Sequence, residues 1–424
     1  MKNILKAVAI FILAFFARAV IHRYRPRIVM VTGSVGKTST KDAVASVLAT
    51  RFFVRKSEKS FNSELGVPFT ILGVGNPWSN PLAWLSVVRS ALALLLLPNH
   101  YPNVLVLEVG ADKPGDLARI LRFATPDAVV VTRLPHIPVH VEAYASPEAV
   151  REEEFSPAYA LSANAPLIIP VDDAYATANA KRTPARIISY GSTTDAKIQI
   201  RDVDFYEIEG KVAGMQANII SNGEQVKSIV RGSVGETQLL PIAAAFATAQ
   251  TFGVSQSDAL TALATYLPPA GRGRLLAGKN GSIIIDDSYN ASPAAVEEAL
   301  TTLKAFPHAL RRIAVLGDML ELGRYSVIEH ERIASLVGAS ADVIVTVGIR
   351  ARAFAPTAST GEVMRFDNSH AAADALPDIV RAGDVVLVKG SQSIRTERIV
   401  KALLAHEGDS EKLVRQDKNW KVRV

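Results

Sequence analysis

Residues 31–40 combine residue types that can bind a phosphate group. Gly33 and Gly36 are separated by two residues, and Lys37 and Thr38 follow. A glycine turn between a strand and a helix presents backbone N–H groups to an anion, the lysine adds positive charge, and the threonine hydroxyl can bind Mg²⁺. The sequence therefore predicts a phosphate-binding loop with a shorter glycine spacing than the common form. The nucleotide-binding residues predicted in this loop are Gly33, Ser34, Val35, Gly36, Lys37, Thr38 and Ser39.

The segments around the loop predict the elements that position it. An apolar strand, 27–31, precedes the loop and a helical segment, 41–49, follows it. Near-continuous apolar strands with helices between them are typical of a parallel α/β sheet. Strands are predicted in the first half at 27–31, 104–109, 128–132, 167–171 and 186–190, and in the second half at 282–286, 312–316, 342–347 and 384–389.

Length and linkers predict two α/β domains. The 424 residues, 49% hydrophobic and 21% charged, fit about two or three folded domains. We expect a P-loop central domain with a parallel sheet, a small antiparallel insertion at 197–231 and a helical segment at 239–264. A Rossmann-like α/β C-terminal domain follows the proline-containing linker 267–271. The predicted segments are an apolar anchor at 1–24, the central domain at 25–267, the C-terminal domain at 268–410 and a charged tail at 411–424.

Composition excludes some classes of site. The chain has no cysteine, so it forms no disulfide, no thiolate zinc site and no cysteine nucleophile. The net charge of +6 is modest for this length and does not identify a partner. We expect no nucleic-acid binding, because no basic patch is interleaved with aromatic residues.

Two apolar segments outside the predicted sheets could contact a membrane. Residues 4–21 are apolar except for Lys6 and Arg18, and a basic run follows at 22–27. We expect a short membrane anchor whose basic cluster lies at the cytoplasmic face, the alternative being a helix packed on the domain. Residues 81–97 form an amphipathic helix for which core packing is expected, with a membrane-surface role as the alternative.

Polar residues follow several of the predicted strands. Glu108 and Gly110 end one strand, and His136 and His140 follow the next. In the second half, comparable positions hold Asp286-Asp287, Gly317-Asp318 and Lys389-Gly390-Ser391. Ligands of doubly wound sheets bind at the carboxyl ends of strands. Two sheets with such ends indicate a site between two domains.

These motifs resemble those of the Mur ligase family, and most closely its D-alanyl-D-alanine-adding branch. One such motif alone would be weak evidence for a family, but seven motifs in the same order are not explained by coincidence. The resemblance covers roughly residues 27–405. The matching segments are Gly33-Ser34-Val35-Gly36-Lys37-Thr38, Asn62-Ser63-Glu64-Leu65-Gly66-Val67-Pro68, Glu108-Val109-Gly110-Ala111, Gly271-Arg272-Gly273-Arg274, Asp286-Asp287-Ser288-Tyr289-Asn290-Ala291-Ser292-Pro293, Gly317-Asp318-Met319-Leu320-Glu321-Leu322-Gly323 and Lys389-Gly390-Ser391.

The resemblance implies ATP-driven amide ligation. In this chemistry ATP phosphorylates a peptide carboxylate to an acyl phosphate, and an amine then attacks it. The implied cofactors are ATP and Mg²⁺. The implied partners are a peptidoglycan-precursor peptide and D-alanyl-D-alanine, and we expect a monomer in the cytoplasm or at the cytoplasmic face of the membrane.

The resemblance also implies roles for individual residues. Lys37 would contact the β- and γ-phosphates, and Thr38 and Glu108 would hold one Mg²⁺. His140 would help to hold a second Mg²⁺, with His136 as the alternative. The other implied residues are Arg272 and Arg274 at the phosphates, Asp287, Tyr289 and Asn290 at the nucleotide, and Asn62, Asp318, Glu321, Lys389 and Ser391 toward the substrate or the cleft.

The chain departs from the family pattern at three places. Only about 26 residues precede the first strand, where the family usually has a domain that binds the UDP-sugar. Glu154 falls near the position of the family's carbamylated lysine, and its carboxylate could replace the carbamate as a catalytic group; a solvated charge run at 152–154 is the alternative. Pro170 stands where an asparagine often precedes the acidic pair, here Asp172-Asp173.

Two other functions remain open from the sequence alone. The chain could be a related ligase for a different substrate, of the folylpolyglutamate or cyanophycin type. It could instead be a membrane-tethered nucleotide-binding scaffold without ligase activity. Turnover of ATP that depends on both a carboxylate and an amine substrate would separate an enzyme from a scaffold.

Overall fold

The computed structural model describes residues 2–58, 61–77, 80–355 and 362–416. Fifteen strands within these residues form two sheets. They are β1 Arg27–Thr32, β2 Val54–Lys56, β3 Val104–Glu108, β4 Ala128–Val131, β5 Pro166–Pro170, β6 Arg186–Gly191, β7 Ile198–Ile208, β8 Lys211–Ser221, β9 Glu224–Arg231, β10 Arg274–Ala277, β11 Ile283–Asp287, β12 Arg311–Gly317, β13 Val343–Val347, β14 Glu362–Phe366 and β15 Asp384–Lys389.

Thirteen α-helices in the described residues pack on these sheets. They are α1 Lys2–Tyr24, α2 Lys37–Leu48, α3 Gly66–Leu72, α4 Pro81–Leu96, α5 Asp116–Leu121, α6 Pro147–Tyr159, α7 Ala174–Ala180, α8 Leu239–Thr251, α9 Gln256–Ala264, α10 Pro293–Ala305, α11 Ser326–Val337, α12 Ser369–Ala375 and α13 Glu397–Leu403.

The first sheet has nine strands in the order β2-β3-β1-β4-β5-β6-β7-β8-β9. The strands from β2 to β7 are parallel, whereas β8 pairs with β7 and β9 antiparallel. The antiparallel insertion predicted at 197–231 therefore extends the main sheet and does not form a sheet of its own. Strand β1 lies between β3 and β4 and is buried from its second residue onward, as expected for an apolar strand covered on both faces.

The second sheet has six strands in the order β10-β11-β15-β12-β13-β14. Its strands are parallel except for the short edge strand β10, which runs antiparallel to β11. The α/β fold class predicted from the sequence is confirmed, with a large parallel sheet followed by a second, mostly parallel one.

Helices cover both faces of the first sheet. On one face, α2, α8 and α9 join an apolar core that continues into the C-terminal domain through Ile285, Val296 and Leu316. On the other face, α1 and α3–α7 contribute to a separate core. The segment predicted as one helix at 239–264 is two helices, because Gly253 has a positive φ of 70° that ends the first.

Helices α1 and α4 lie on the outer part of the second layer. Leu13, Ala17 and Val20 of α1 are buried against the domain, while only 17% of the window Ala7–Tyr24 is buried. That window is long and apolar enough to cross a membrane, a test that core helices and signal sequences also pass. The core packing expected for 81–97 is wrong for much of α4, because most of its large apolar side chains are exposed or only half-buried.

The start of the predicted charged tail packs on the C-terminal domain. Leu413 is 5% exposed and belongs to the core on one face of the second sheet. The Arg415 guanidinium lies 2.9 Å from Glu397 Oε2, with both side chains buried. Up to residue 416, then, the segment predicted as a tail is part of the domain, and residues 417–424 lie outside the described residues.

Candidate active site between the two domains

The loop between β1 and α2 is shaped by two glycines with positive φ angles. Gly33 has φ 118°, and a Cβ atom there would lie 2.4 Å from the Thr132 hydroxyl oxygen, so a side chain does not fit. Gly36, the N-cap of α2, has φ 92°, and a Cβ there would meet no described atom within 4 Å. Helix α2 thus begins at open space, where its first N–H groups and its dipole favour an anion.

Lys37 and Glu154 lie against this loop. The Lys37 ammonium donates a hydrogen bond to the Gly33 carbonyl oxygen and lies 3.6 Å from Glu154 Oε1. Glu154, on α6, is 2% exposed, and its Oε2 accepts a hydrogen bond from the Ser34 hydroxyl. A buried carboxylate needs such partners, and here the loop itself provides them. The structure therefore places Glu154 at the phosphate loop and not in a solvated charge run.

Glu108 lies at the end of β3, beside β1. Its Oε1 accepts a hydrogen bond of 3.2 Å from the Thr38 hydroxyl. Its Oε2 is buried without a hydrogen-bond partner among the described residues, and Lys41 Nζ lies 4.0 Å away. Burial raises the pKa of Glu108, and the positive charges of Lys41, Lys37 and Arg272 oppose this rise.

The Thr38 and Glu108 oxygens fit a magnesium ion. Mg²⁺ prefers hard oxygen ligands and is usually held by one or two carboxylates together with substrate phosphates. Oε2 of Glu108, buried with no hydrogen-bond donor among the described residues, suits such a ligand role next to the phosphate loop. No group of three histidine or acidic side chains suited to a metal occurs in the described residues, so the ligand set predicted here depends on phosphate and water for its remaining positions.

Asn62 lies beside the loop lysine. Its carbonyl oxygen accepts a hydrogen bond of 3.0 Å from the Gly110 N–H. A Cβ on Gly110 would lie 3.3 Å from both Asn62 Nδ2 and Lys37 Cε. The glycine thus lets the amide and the lysine approach the end of β3 closely.

His140 bridges the two domains. It has a positive φ of 64°, and its Nδ1 lies 3.2 Å from Oε2 of Glu321 in the C-terminal domain. Its Nε2 lies 3.6 Å from Asp112 Oδ1. His136, the alternative from the sequence, is exposed. His140 thus faces acidic side chains of both domains, which favours it over His136, and its role at a second Mg²⁺ stays a prediction.

The C-terminal domain contributes paired side chains opposite the loop. The Arg272 guanidinium stacks over the Tyr289 ring, 4.0 Å from its centroid. The Lys389 ammonium, 2% exposed, lies 2.5 Å from Asp287 Oδ2 and donates to the Asn290 carbonyl oxygen at 3.1 Å. All five are residues predicted for the nucleotide or the substrate.

A cavity of about 70 Å³ lies between the phosphate loop and the C-terminal domain. A larger cavity of about 440 Å³ shares Thr237, Glu298 and Thr302 with it, so the two adjoin. The described residues lining the first include Gly36, Ser39, Gln238, Arg272, Gly273, Asp287 and Lys389, and those lining the second include Arg133, Pro170, Asp172, Asp173, Ser192, Glu236 and Glu297. An ion pair between Arg133 and Glu298 joins the domains at this border.

Three predicted residues mainly stabilise the C-terminal domain. Asp318 accepts a hydrogen bond of 2.7 Å from the Ala351 N–H. The Ser391 hydroxyl accepts one of 2.8 Å from the Leu320 N–H. Arg274, expected near the phosphates, donates instead to the Lys412 carbonyl oxygen at 3.4 Å. None of the three is among the described residues that line the two cavities.

Sequence reasoning missed one residue that supports the site. Arg415 donates to the Ser288 carbonyl oxygen at 3.2 Å and to the Tyr289 carbonyl oxygen, and thereby holds the loop after β11. Its place in a charged C-terminal segment gave no signal, since its partners Ser288 and Glu397 come from distant parts of the chain.

Comparisons with known proteins agree with this geometry. The Mur ligase middle domain matches residues 31–249, and the Mur ligase glutamate ligase domain matches residues 271–392. The chain is 31% identical to the UDP-N-acetylmuramoyl-tripeptide–D-alanyl-D-alanine ligase of Mycobacterium leprae, over 87% of this chain and 71% of the relative. It is 27% identical to the Bacillus subtilis ligase of the same name, over 92% and 78%.

A solved structure shows the same architecture. The MurF ligase from Thermotoga maritima, crystallised in complex with ADP, superposes with a TM-score of 0.76 at 26% identity. The match covers 95% of this chain and 84% of that one. Both Mur ligase domains match this chain in order, and its phosphate loop faces the pairs Arg272–Tyr289 and Lys389–Asp287. The chain therefore belongs to the Mur ligase family.

Proposed function

We propose that this chain is an ATP-dependent ligase that joins D-alanyl-D-alanine to a UDP-N-acetylmuramoyl-tripeptide by an amide bond. The observation that carries the proposal is the cavity with the phosphate loop on one side and Arg272, Asp287 and Lys389 on the other. Relatives that span most of this chain bear the name of that activity, and the similar Thermotoga maritima ligase was crystallised with ADP.

The nucleotide extends across the two adjoining cavities. Its phosphates lie at the N-terminus of α2, where Lys37 supplies a point charge. Its nucleoside occupies the larger cavity near Asp172 and Ser192, a volume of about 440 Å³ that suits a small ligand. Pro170 lines this cavity, and since proline has no side-chain amide, base recognition relies on other groups there.

Cations offset the negative charge that gathers during phosphoryl transfer. Mg²⁺ held by Thr38 and Glu108 would supply positive charge next to the phosphates. Lys37 beside the loop and Arg272 on the opposite wall contribute positive charge, and Lys37 would exchange its contacts to Gly33 and Glu154 for the phosphates. The Tyr289 ring beneath the guanidinium fixes the orientation of Arg272.

The substrate carboxylate takes up the phosphoryl group and becomes an acyl phosphate. The amine of the second substrate attacks the acyl carbon, and phosphate leaves as the amide forms. Asn62, beside Lys37, is placed to orient the carboxylate, and Glu321, paired with His140, faces the cleft from the C-terminal domain. Asp318 and Ser391 do not line the cavities, and we propose that they position the loop that carries Glu321.

Glu154 takes the place of a carbamylated lysine. A carbamate forms by addition of CO₂ to a lysine amine, whereas a glutamate carries its carboxylate permanently. Its contacts to Ser34 and Lys37 support this role. Activity should accordingly be independent of added bicarbonate.

We place the reaction in the cytoplasm, where ATP is available, and propose that the chain acts as a monomer, since both walls of the cavity come from one chain. Size-exclusion chromatography with light scattering measures the mass directly, and a stable dimer would contradict the monomer proposal.

A ligation assay tests the proposed function. ATP, Mg²⁺, D-alanyl-D-alanine and a UDP-N-acetylmuramoyl-tripeptide are supplied together, and the product is identified by mass spectrometry. We expect ADP release that requires both substrates and a product whose mass is their sum less one water. Glutamate addition to a folate would instead support the folylpolyglutamate-type alternative, and ATP binding without turnover on any acceptor would support the scaffold.

A further inference from the structure

Exposed apolar side chains are concentrated on α1 and α4. Of the seventeen exposed large hydrophobic residues in the described parts of the chain, nine lie on these two helices or directly after α4. Phe11 is 75% exposed, Leu82 75% and Leu96 72%. Soluble proteins rarely expose apolar groups in such contiguous patches unless the patch binds something.

The exposed residues of α1 share one side of the helix. Val8, Phe11, Ile12 and Phe15 follow the i, i+3, i+4, i+7 spacing of a single face, and Arg18 continues it. The buried stripe of Leu13, Ala17 and Val20 packs on the domain instead. The helix is thus apolar both toward the core and toward the outside.

Helix α4 shows the same arrangement. Leu82, Leu85, Leu92 and Leu96 lie on one exposed face with Arg89 among them, while Val87 and Ala91 are buried.

The ends of the two helices are fastened together. Arg23 donates a hydrogen bond of 2.8 Å to the Leu95 carbonyl oxygen, and the Tyr24 hydroxyl donates one of 2.7 Å to the Leu94 carbonyl oxygen. The Tyr24 ring also stacks on Tyr101 at 4.5 Å. Both helices are therefore held on the domain as one surface, the α1–α4 surface, and α1 does not extend away from the domain as a free tether.

The charged side chains that α1 and α4 themselves carry are all basic. No Asp or Glu occurs before Asp42, and none occurs between Glu64 and Glu108. Arg18, Arg25 and Arg89 are exposed on or beside the exposed faces. Two apolar helix faces that carry arginines and no acidic residue of their own complement anionic lipid headgroups above an acyl layer. Arginine can reach the headgroups while its stem stays in the apolar layer.

We propose that the α1–α4 surface binds anionic membrane lipid and lies in the plane of the bilayer surface, with Phe11, Phe15, Leu82 and Leu85 inserted. In-plane binding keeps the inner stripe of α1 in the core, whereas crossing the bilayer would strip Leu13, Ala17 and Val20 from it. The proposal stands on the surface alone and does not depend on the ligase activity.

Vesicle co-sedimentation of the full chain tests lipid binding. We expect at least tenfold stronger binding to vesicles of phosphatidylcholine with phosphatidylglycerol than to phosphatidylcholine alone, weakening as salt rises. Two double variants remove the inserted side chains: one combines Phe11→Ser and Phe15→Ser, and the other combines Leu82→Ser and Leu85→Ser. Each should lower vesicle binding at least tenfold and leave ATP binding intact. The matched control is Val327→Ser with Ile328→Ser on α11, which are 69% and 60% exposed and should leave vesicle binding unchanged.

Insertion depth distinguishes lying on the membrane from crossing it. Because the chain has no cysteine, Val8→Cys and Phe15→Cys each carry one fluorophore whose quenching by brominated lipids reports its depth. In-plane binding predicts similar depths, whereas a crossing helix separates the two labels by about 10 Å. The proposal is overturned if the folded protein fails to bind anionic vesicles or if the depths of the two labels differ by about 10 Å. It is also overturned if the wild-type protein does not bind vesicles and the serine variants instead disrupt a dimer or a complex with another protein.

Discussion

The two walls of the active-site cavity are built in different ways. The central-domain wall includes Val35 and Gly36 of the phosphate loop, residues 33–38, together with several residues between 234 and 241. The shape of the loop comes from two glycines and the start of α2. The C-terminal wall consists of side-chain pairs between distant residues, such as Asp287 with Lys389 and Arg272 with Tyr289. One wall is set by local backbone geometry, and the other exists only once the domain has folded.

This difference predicts different responses to mutation. A change in the loop should lower turnover more than stability, because the shape of the loop comes from its own glycines and its side chains contact few residues outside the site, chiefly Glu108 and Glu154. A change in the C-terminal wall should affect stability and nucleotide affinity together, because the side chains there hold one another in place, as buried Lys389 does with Asp287.

The largest effect on turnover is expected for Lys37→Ala. Loss of the loop's positive charge should lower kcat by about 10²- to 10³-fold, measured by ADP release, with the melting temperature within a few degrees of wild type. Lys56→Ala is the matched control, because Lys56 is exposed and pairs with Asp42 outside the cavity. A turnover of Lys37→Ala close to that of wild type would refute the role of this wall in chemistry.

Glu154→Ala should lower kcat by about 10- to 100-fold, as removal of a supporting ligand commonly does, and should change the Mg²⁺ concentration needed for half-maximal activity. Glu154→Gln keeps the size of the side chain and isolates its charge. Glu148→Ala, on the same helix but with a 60% exposed side chain, is the control. If turnover and Mg²⁺ dependence of Glu154→Ala match wild type, Glu154 is not a substitute for the carbamate.

Arg415→Ala probes the other wall. It leaves Glu397 buried with fewer partners and frees the carbonyl oxygens of Ser288 and Tyr289. We expect a loss of about 3 kcal/mol in the free energy of unfolding and about tenfold weaker binding of ADP, measured by urea unfolding and calorimetry. Lys412→Ala, 49% exposed, should change neither. If Arg415→Ala lowers stability but leaves ADP affinity unchanged, Arg415 supports the fold of the domain and not the nucleotide site.

The smallest effect on activity is expected for Asp286→Asn. Burial raises the pKa of Asp286 to about 6, while hydrogen bonds from Ser288 oppose the rise. Because the folded state holds this proton more tightly than the unfolded state, wild-type stability should fall as the pH rises from about 4 to 6, by about 1 to 3 kcal/mol. The asparagine variant should lack this decrease, whereas the exposed Asp195→Asn should retain it. Equal pH profiles from urea unfolding would show that Asp286 does not carry the effect.

The loop wall was predictable from the sequence because its determinants are consecutive. Gly33, Gly36 and Lys37 specify a turn and a helix start without help from distant residues. The α/β class was predictable for a similar reason, since long apolar strands such as β1 and β15 need burial on both faces. The three-residue strand β2 was missed because so short a segment carries no periodicity.

The other wall and the outer helices were less accessible. Lys389 was identified, but its pairing with Asp287 spans about a hundred residues and depends on β11 and β15 being neighbours. The spacing of apolar residues in α4 predicts a helix, but it does not show whether the outer apolar side chains contact the core or solvent, because the sequence pattern is the same in both cases. Arg415 lay in a segment whose charge favoured a solvated tail.

Strand β1 has α1 at one end, beyond Arg25 and Pro26, and the phosphate loop at the other. Six residues of strand span about 20 Å. Helix α1 and the phosphate loop are therefore attached to opposite ends of a buried strand of fixed length. A strand held between two neighbouring strands does not bend. The phosphate loop should therefore keep the same position relative to the α1–α4 surface whether or not lipid is bound there.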